Sequence, residues 1–274
     1  MAESPFKPFE LHGKTALVTG GAGLLGRQFC LTLAAAGAAV VVADVQGSSA
    51  HKVAEEVKHN GDQALAVEVD ISNPPAVHRM MDQIMATYDD LDILVNCAAI
   101  DPKFDPEHRE KESSAFETYP YAAWQEALNV NLSGVFLVTQ AAVKPMLKKE
   151  SGVIINVGSI YGMVGPDQRI YEREDQPAQY KPVHYSVTKA GLLGLTRYLA
   201  AYYRNKSIRV NALSPGGVFL DHEEAFVESY SARTILGRMA GEDELNGALL
   251  FLASDASSYM TGANLVVDGG WTAW

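Results

Sequence analysis

Short apolar runs alternate with longer amphipathic segments along most of the chain. Residues 15–18 form an apolar run that ends in Gly-rich sequence and read as a first strand. Residues 26–36 place Phe29, Leu31, Leu33 and Ala34 at helical spacing, and Gly37 stops the pattern. Residues 39–43 predict a second buried strand ending at Asp44. A polar helix follows over 48–59 and closes at Asn60-Gly61. A third strand, 64–69, ends at Asp70. Pro74 and Pro75 open the next helix, where a missing N–H costs little, and it runs to Tyr88. Residues 91–95 predict a fourth strand, followed by Asn96. Residues 122–147 are strongly helical. A fifth strand, 153–157, ends at Gly158-Ser159, and a helix covers 185–203. A sixth strand, 208–212, leads to Ser214-Pro215-Gly216. The segment 217–235 reads as mobile, 242–253 as a helix, and 264–267 as a last strand closed by Asp268-Gly269-Gly270.

Continuous apolar strands alternating with helices predict an α/β fold: a single-domain, Rossmann-type, doubly wound parallel sheet of about seven strands with helices on both faces. Ligands of such sheets bind beyond the carboxyl ends of the strands, and the polar and glycine residues named below all fall there. The chain has 274 residues, 47% of them hydrophobic, which suffices for one substantial core. No linker-like stretch divides it, so 1–274 reads as one domain, with substrate-loop insertions at 101–120, 165–183 and 217–235.

Charge narrows the partners. The net charge is -11 and no basic run exceeds Lys148-Lys149, which argues against a nucleic-acid surface. Cys30 and Cys97 lie in apolar segments and read as buried free thiols. The N-terminal stretch lacks the basic flank and apolar core of a signal peptide, and no apolar run of about 18 residues suggests a membrane span. The expectation is a cytoplasmic protein acting on a small molecule, with no membrane partner and no bound metal.

Thr19–Gly26 sits between the first strand and the first helix. Gly20, Gly23 and Gly26 allow a tight turn and close approach of the backbone to a pyrophosphate. Leu24, Leu25 and Gly26 open the helix, whose free N–H groups and dipole favour anions. Asp44 follows Gly20 by 24 residues. A carboxylate there accepts hydrogen bonds from a ribose diol and repels a 2′-phosphate, so NAD is favoured over NADP. The plainer alternative is that Asp44 caps the next helix. Asp70 and Ile71, after the third strand, are placed near adenine. Asn96 and Ala98, after the fourth, are placed beside the ribose. Pro215, Gly216 and Val218, after the sixth, are placed at the nicotinamide carboxamide.

Tyr185 and Lys189 are four apart and share a helix face. An ammonium beside a phenol favours the phenolate, so the Tyr185 pKa is expected to fall towards working pH. The phenol would then take a proton from an alcohol or give one to a carbonyl. Ser159 can hydrogen-bond the reacting oxygen, or serve only as a turn residue. Asn131, polar within an apolar helical segment, makes either an ordinary buried hydrogen bond or a helix irregularity that frees a carbonyl for a proton relay. Lys103 and Arg169, in the insertions, are candidate contacts to a polar substrate, alongside Ser159 and Tyr185.

Taken in order, these residues resemble the short-chain dehydrogenase/reductase family from Lys14 to Gly270. The resemblance implies that Tyr185 is the general acid/base, that Ser159 orients the substrate oxygen, that Lys189 lowers the Tyr pKa and binds ribose, and that Asn131 completes the relay. It also implies a homotetramer, with a dimer next. There are departures. Leu24 stands where short members carry glycine, as in the extended sugar-nucleotide branch. Cys97-Ala98-Ala99 replaces the usual Asn-Ala-Gly, and Ser159 and Tyr185 lie 26 residues apart. Segments 166–170, 185–199 and 257–262 resemble oxidoreductases of flagellin-modification and surface-sugar biosynthesis. The leading expectation is an NAD(H)-dependent oxidoreductase for a polar, sugar-like secondary alcohol or ketone. Two alternatives stand beside it: a sugar-nucleotide epimerase or dehydratase with retained NAD, and a non-catalytic NAD-binding sensor.

Overall fold

The computed structural model describes residues 6–101, 114–172 and 179–274. Seven strands make one sheet: β1 (Thr15–Thr19), β2 (Ala39–Asp44), β3 (Ala64–Glu68), β4 (Ile93–Asn96), β5 (Gly152–Val157), β6 (Ile208–Pro215) and β7 (Asn264–Val267). Their order is β3-β2-β1-β4-β5-β6-β7, and every pairing is parallel. The chain builds outward from β1 to β3, returns, and builds outward again from β4. The order therefore reverses between β1 and β4, where such sheets open a crevice for ligands.

The helices are α1 (Leu24–Ala35), α2 (Gly47–His59), α3 (Pro74–Tyr88), α4 (Tyr121–Leu128), α5 (Val135–Lys148), α6 (Val183–Tyr202), α7 (Glu224–Ser231) and α8 (Asn246–Ala253). Alternation along the strands divides the core in two, because successive side chains leave a strand on opposite faces. Ala16, Val18, Val40, Val42, Ile93 and Val95 pack with α1, α2 and α8. Leu17, Val41, Leu94, Ile154 and Val210 pack with α3, α5 and α6. Local signals start and stop the helices. The Asn73 side chain accepts a bond from the Ala76 N–H at the start of α3, beside Pro74 and Pro75, and Asp89 ends that helix with φ 63°. Gly61, with φ 94°, turns the chain after α2.

Several boundaries differ from those expected. The single helix over 122–147 is interrupted between α4 and α5 by a π-helical segment, Asn129–Gly134. Segment 217–235 is not an open loop: it contains α7, whose Tyr230 is buried against Trp271. The helix expected over 242–253 shrinks to α8. The sixth strand extends three residues further, to Pro215, because β7 pairs with it there. Cys30 and Cys97 are free thiols, and burial pushes both up. Among the described residues one helical stretch, Tyr121–Lys148, is long and apolar enough to cross a membrane by length and composition. Half of its apolar window is buried inside the fold, where it packs as a core helix.

Candidate active site

β1, β2, β4, β5 and β6 end at one cleft of about 940 Å³. The turn after β1 forms one wall. Gly20 has φ 64°, in the left-handed region, and a Cβ there would lie 2.7 Å from the Ala98 backbone. A Cβ on Gly26 would fall 2.0 Å from the Gly20 carbonyl oxygen. Both positions exclude a side chain, so the turn stays tight and its backbone stays open to the cleft. Gly23 caps α1 without any side-chain hydrogen bond, so the first N–H groups of the helix are left for a ligand. Thr19 ties the floor together: its hydroxyl accepts from the N–H groups of Cys97 and Ala98 at 3.2 and 3.3 Å.

Asp44 lines the cleft at the end of β2. Its carboxylate accepts from Ala22 N–H and Gln46 N–H, each at 3.0 Å. The side chain is thus fixed across the Gly-rich turn and is not the cap of α2, whose N-cap is Gln46. Gly20, Gly23, Leu24, Leu25, Gly26, Asp70, Ile71, Ala98, Tyr185, Lys189, Pro215 and Val218 line the same cleft. The surfaces fit a dinucleotide: a glycine cradle that any Cβ would fill, an open helix N-terminus for phosphates, and a fixed carboxylate beyond it.

Two expected cofactor residues are placed elsewhere. Asn96 is buried, and its side-chain amide donates to Thr139 at 3.0 Å and to Asn156 at 2.9 Å. Asn156 in turn donates to Thr196 at 2.9 Å. Asn96 therefore joins β4 to β5 and α5 beneath the cleft, because the alternation of β4 turns it inward. Gly216 lies beside the cleft lining, packed where a Cβ would meet the Asp268 backbone at 2.9 Å.

Tyr185 and Lys189 enter from the first turns of α6. Lys189 is buried, and its ammonium donates to the Val157 carbonyl at 2.8 Å while standing 5.6 Å from the Tyr185 ring centroid. Ser159, after β5, is buried; it hydrogen-bonds the Tyr185 phenol and accepts from Tyr161 N–H at 3.2 Å. Asn131 sits in the π-helical segment. It exchanges two bonds with the Ile100 backbone, accepting at 2.7 Å and donating at 2.9 Å, and lies 3.4 Å from the Thr188 hydroxyl. It therefore clamps the cleft-lining segment after β4 to α6.

The electrostatics correct one expectation. Burial pushes the Tyr185 phenol above its usual range; the Asp101 carboxylate adds to the rise and the Ser159 hydrogen bond opposes it. The expected lowering is not seen: desolvation dominates, and Lys189 directs its ammonium at the Val157 carbonyl. Burial likewise lowers Lys189, with Cys97 and Asp101 opposing.

Of the substrate candidates, Lys103 lies outside the described residues. Arg169 is turned away: its side chain is 73% exposed and bidentate to Asp167, at 2.9 and 2.7 Å. The insertions contribute other groups, of which the sequence reading named Lys181 only as one of several loop cations suited to a polar substrate and did not single out Asp101 or His222. Asp101 and His222 line the cleft. Lys181 pairs with Asp101 at 2.6 Å and lies over the Tyr185 ring. Behind them Tyr161, Tyr171, Tyr230 and Trp271 form an aromatic cluster against which Tyr185 packs. Besides its place among the loop cations, Lys181 lies four residues before Tyr185, a spacing that could have marked it out. Among the described residues, no group of three or more His, Cys, Asp or Glu is arranged to hold a metal.

The chain is similar to known proteins over most of its length. A family profile described as Enoyl-(Acyl carrier protein) reductase matches residues 21–272. The chain is 34% identical over 266 residues to a 3-oxoacyl-[acyl-carrier-protein] reductase of Aquifex aeolicus, covering 95% of this chain and 98% of the relative. It is 36% identical over 268 residues to the cis-4-hydroxycyclohexanecarboxylate dehydrogenase of Sinomonas cyclohexanicum, covering 95% and 97%. It superposes with a TM-score of 0.85 and 30% identity on a gluconate 5-dehydrogenase from Burkholderia cenocepacia in complex with NADP and tartrate, covering 99% of this chain and 100% of that one. With its parallel sheet, glycine turn and Tyr-Ser-Lys cluster, the chain belongs to the short-chain dehydrogenase/reductase family of oxidoreductases.

Proposed function

We propose that the protein interconverts a polar secondary alcohol and its ketone with NAD(H), and that Tyr185 is the general acid/base. The observation that carries this reading is that Tyr185 and Lys189 line the same cleft as the glycine cradle, with Ser159 hydrogen-bonded to the Tyr185 phenol. When bound there, the nicotinamide accepts or returns the hydride. In oxidation the Tyr185 phenolate takes the alcohol proton, and the Ser159 hydroxyl holds the oxygen as it becomes a carbonyl. Lys189 would hold the nicotinamide ribose. Asn131 fixes the Ile100 backbone along the cleft wall and, with the wider helical turn around it, would complete the proton relay. Asp44 supports NAD: its carboxylate is held by two backbone N–H groups at the end of β2, where it suits a ribose diol and repels a 2′-phosphate.

The substrate class is read from the pocket walls. Asp101 and His222 on the lining offer polar contacts, Lys181 pairs with Asp101 beside the Tyr185 ring, and Ala98, Ile100, Val218 and Leu220 offer apolar surface. This suits a hydroxylated ring or a sugar acid. The relatives above are named for a 3-oxoacyl-[acyl-carrier-protein], cis-4-hydroxycyclohexanecarboxylate and gluconate, and a surface-sugar substrate rests on the short sequence resemblances alone. We place the reaction in the cytoplasm, in a homo-oligomer.

The test is turnover of a panel of sugar acids, cyclic hydroxy acids and 3-oxoacyl thioesters with both cofactors. NADH should accumulate in step with product. Product formed without net NADH would shift the reading to an epimerase or dehydratase. Tyr185→Phe should cut turnover by a factor on the order of 1,000 or more while leaving NAD binding within about twofold. Unchanged turnover in that variant would remove Tyr185 from the chemistry.

A further inference from the structure

The nearest cation to the Tyr185 ring is not Lys189. The Lys181 ammonium stands 4.1 Å from the ring centroid, against 5.6 Å for Lys189. It is held from three directions. Its N–H donates to the Gln168 side chain at 2.8 Å, and its carbonyl accepts from the same side chain at 3.5 Å. Its ammonium bonds both oxygens of Asp101, at 2.6 and 2.8 Å. Pro182 follows, so the residue is fixed immediately before α6. The Lys181 side chain is only 12% exposed, which keeps solvent from screening it, whereas Asp101 is 40% exposed.

We propose that Lys181 is a positioning residue that holds a second positive charge over the Tyr185 phenol, and that Asp101 sets how much of that charge the phenol feels. This rests on the assignment of Tyr185 as acid/base made above. An ammonium over a neutral phenol meets only the ring quadrupole. Over a phenolate it meets a full negative charge spread across the same ring, so it favours the deprotonated form. Asp101 acts in the opposite sense, in line with its contribution to raising the phenol. The other groups facing the phenol are Lys189 on α6, Ser159 and Tyr161 after β5, and Cys97 after β4. Next in the chain, His184 is engaged by Tyr119 at 2.6 Å. Of these, only Lys189 is a second cation, and its ammonium is directed at the Val157 carbonyl. The pair joins residues 80 positions apart, one from each insertion that flanks the cleft. Loop identity thereby reaches the acid/base without contributing a reacting group.

The experiment compares Lys181→Met, Lys181→Gln, Lys181→Arg and Asp101→Asn with the unaltered chain. Two quantities are read: the pH profile of kcat for oxidation at saturating cofactor, and the rate of Tyr185 nitration by tetranitromethane in cofactor-free protein, followed by peptide mass spectrometry. Nitration needs phenolate but no turnover. Lys181→Met and Lys181→Gln should each move the rising limb of kcat about one pH unit upward and slow nitration about tenfold at fixed pH. Either variant suffices if the other does not fold. Lys181→Arg should restore the limb, and Asp101→Asn should move it downward and speed nitration. A limb and nitration rate that stay in place when the charge is removed, or that move alike for Lys181→Met and Asp101→Asn, overturn the proposal and reduce the pair to a strut. Shifted nitration in a protein that turns over no alcohol or ketone keeps the Lys181 assignment and overturns the oxidoreductase reading of Tyr185 instead.

Discussion

Asp44 is the residue on which the proposed preference for NAD rests. Its two oxygens are committed to Ala22 N–H and Gln46 N–H, so it cannot swing aside for a larger ligand without breaking both. A 2′-phosphate placed against it meets a like charge in a partly buried position. Asp44→Ala should therefore raise kcat/KM with NADP relative to NAD by roughly 10- to 100-fold, read from initial rates with each cofactor. It should also lower stability by about 1 kcal/mol, because two backbone donors lose their acceptor. An unchanged cofactor ratio would mean that preference is set elsewhere in the turn. Tyr185 carries the opposite lesson. Its neighbour at the fourth position was readable, but the burial that raises the phenol was not, because desolvation depends on every element packed around it.

At the scale of elements, two junctions stand out. The π-helical segment around Asn131 gives the chain one wider turn between α4 and α5, and the side chain there holds Ile100 by both backbone groups. Asn131→Leu keeps the volume and loses those bonds. It should lower kcat at least tenfold and stability by about 1–3 kcal/mol, measured by turnover and denaturant melts. The second junction is Asp92, just before β4. It accepts from Thr15 N–H at 2.8 Å and from the Lys149 ammonium at 2.7 Å, tying β1 to the end of α5. Burial opposes its ionised form, but the hydrogen bonds from Lys149 and Thr15 and the charges of Lys149 and Lys14 outweigh burial and hold the carboxyl below its usual range. A carboxyl lowered in the fold stabilises it above the unfolded pKa of about 4, and the contribution is lost as pH falls through the lower folded value. Asp92→Asn should thus cost about 1–2 kcal/mol at neutral pH, with the gap to the unaltered chain closing below about pH 4. A gap constant with pH would assign the cost to packing.

At the scale of the whole molecule, the outer faces of α5 and α6 present Phe136, Tyr198 and Tyr202 at 50%, 63% and 65% exposure. The two tyrosines stack at 5.8 Å, beside a shallow apolar depression lined by Leu132, Phe136, Leu137 and Leu195. Such a face on two long antiparallel-capable helices suits a second copy of the chain. Light scattering in solution should give a tetramer or dimer, and Phe136→Asp with Tyr198→Asp should reduce its mass. A monomer for the unaltered chain would refute the assignment.

The order of strands and helices and the glycine turn were readable because they depend on local periodicity and on the absence of Cβ atoms. So was the set of residues at strand ends, because a parallel sheet puts every carboxyl end on one edge. Direction within that edge was not. Asn96 and Ala98 are two apart, yet Ala98 lines the cleft and Asn96 joins a buried amide network with Thr139, Asn156 and Thr196, whose members come from four elements. Segment 217–235 looked open because its apolar residues have no partner in sequence. Tyr230 finds one in Trp271, and the middle of the segment folds as α7. Arg169 and Lys181 were alike as loop cations. Asp167 draws the first to the surface, and Asp101 draws the second over the phenol. Sequence by itself determined which residues reach the working edge of the sheet. The tertiary structure decided which way each one faces and what charge it meets there, because burial and long-range pairing have no counterpart in local pattern.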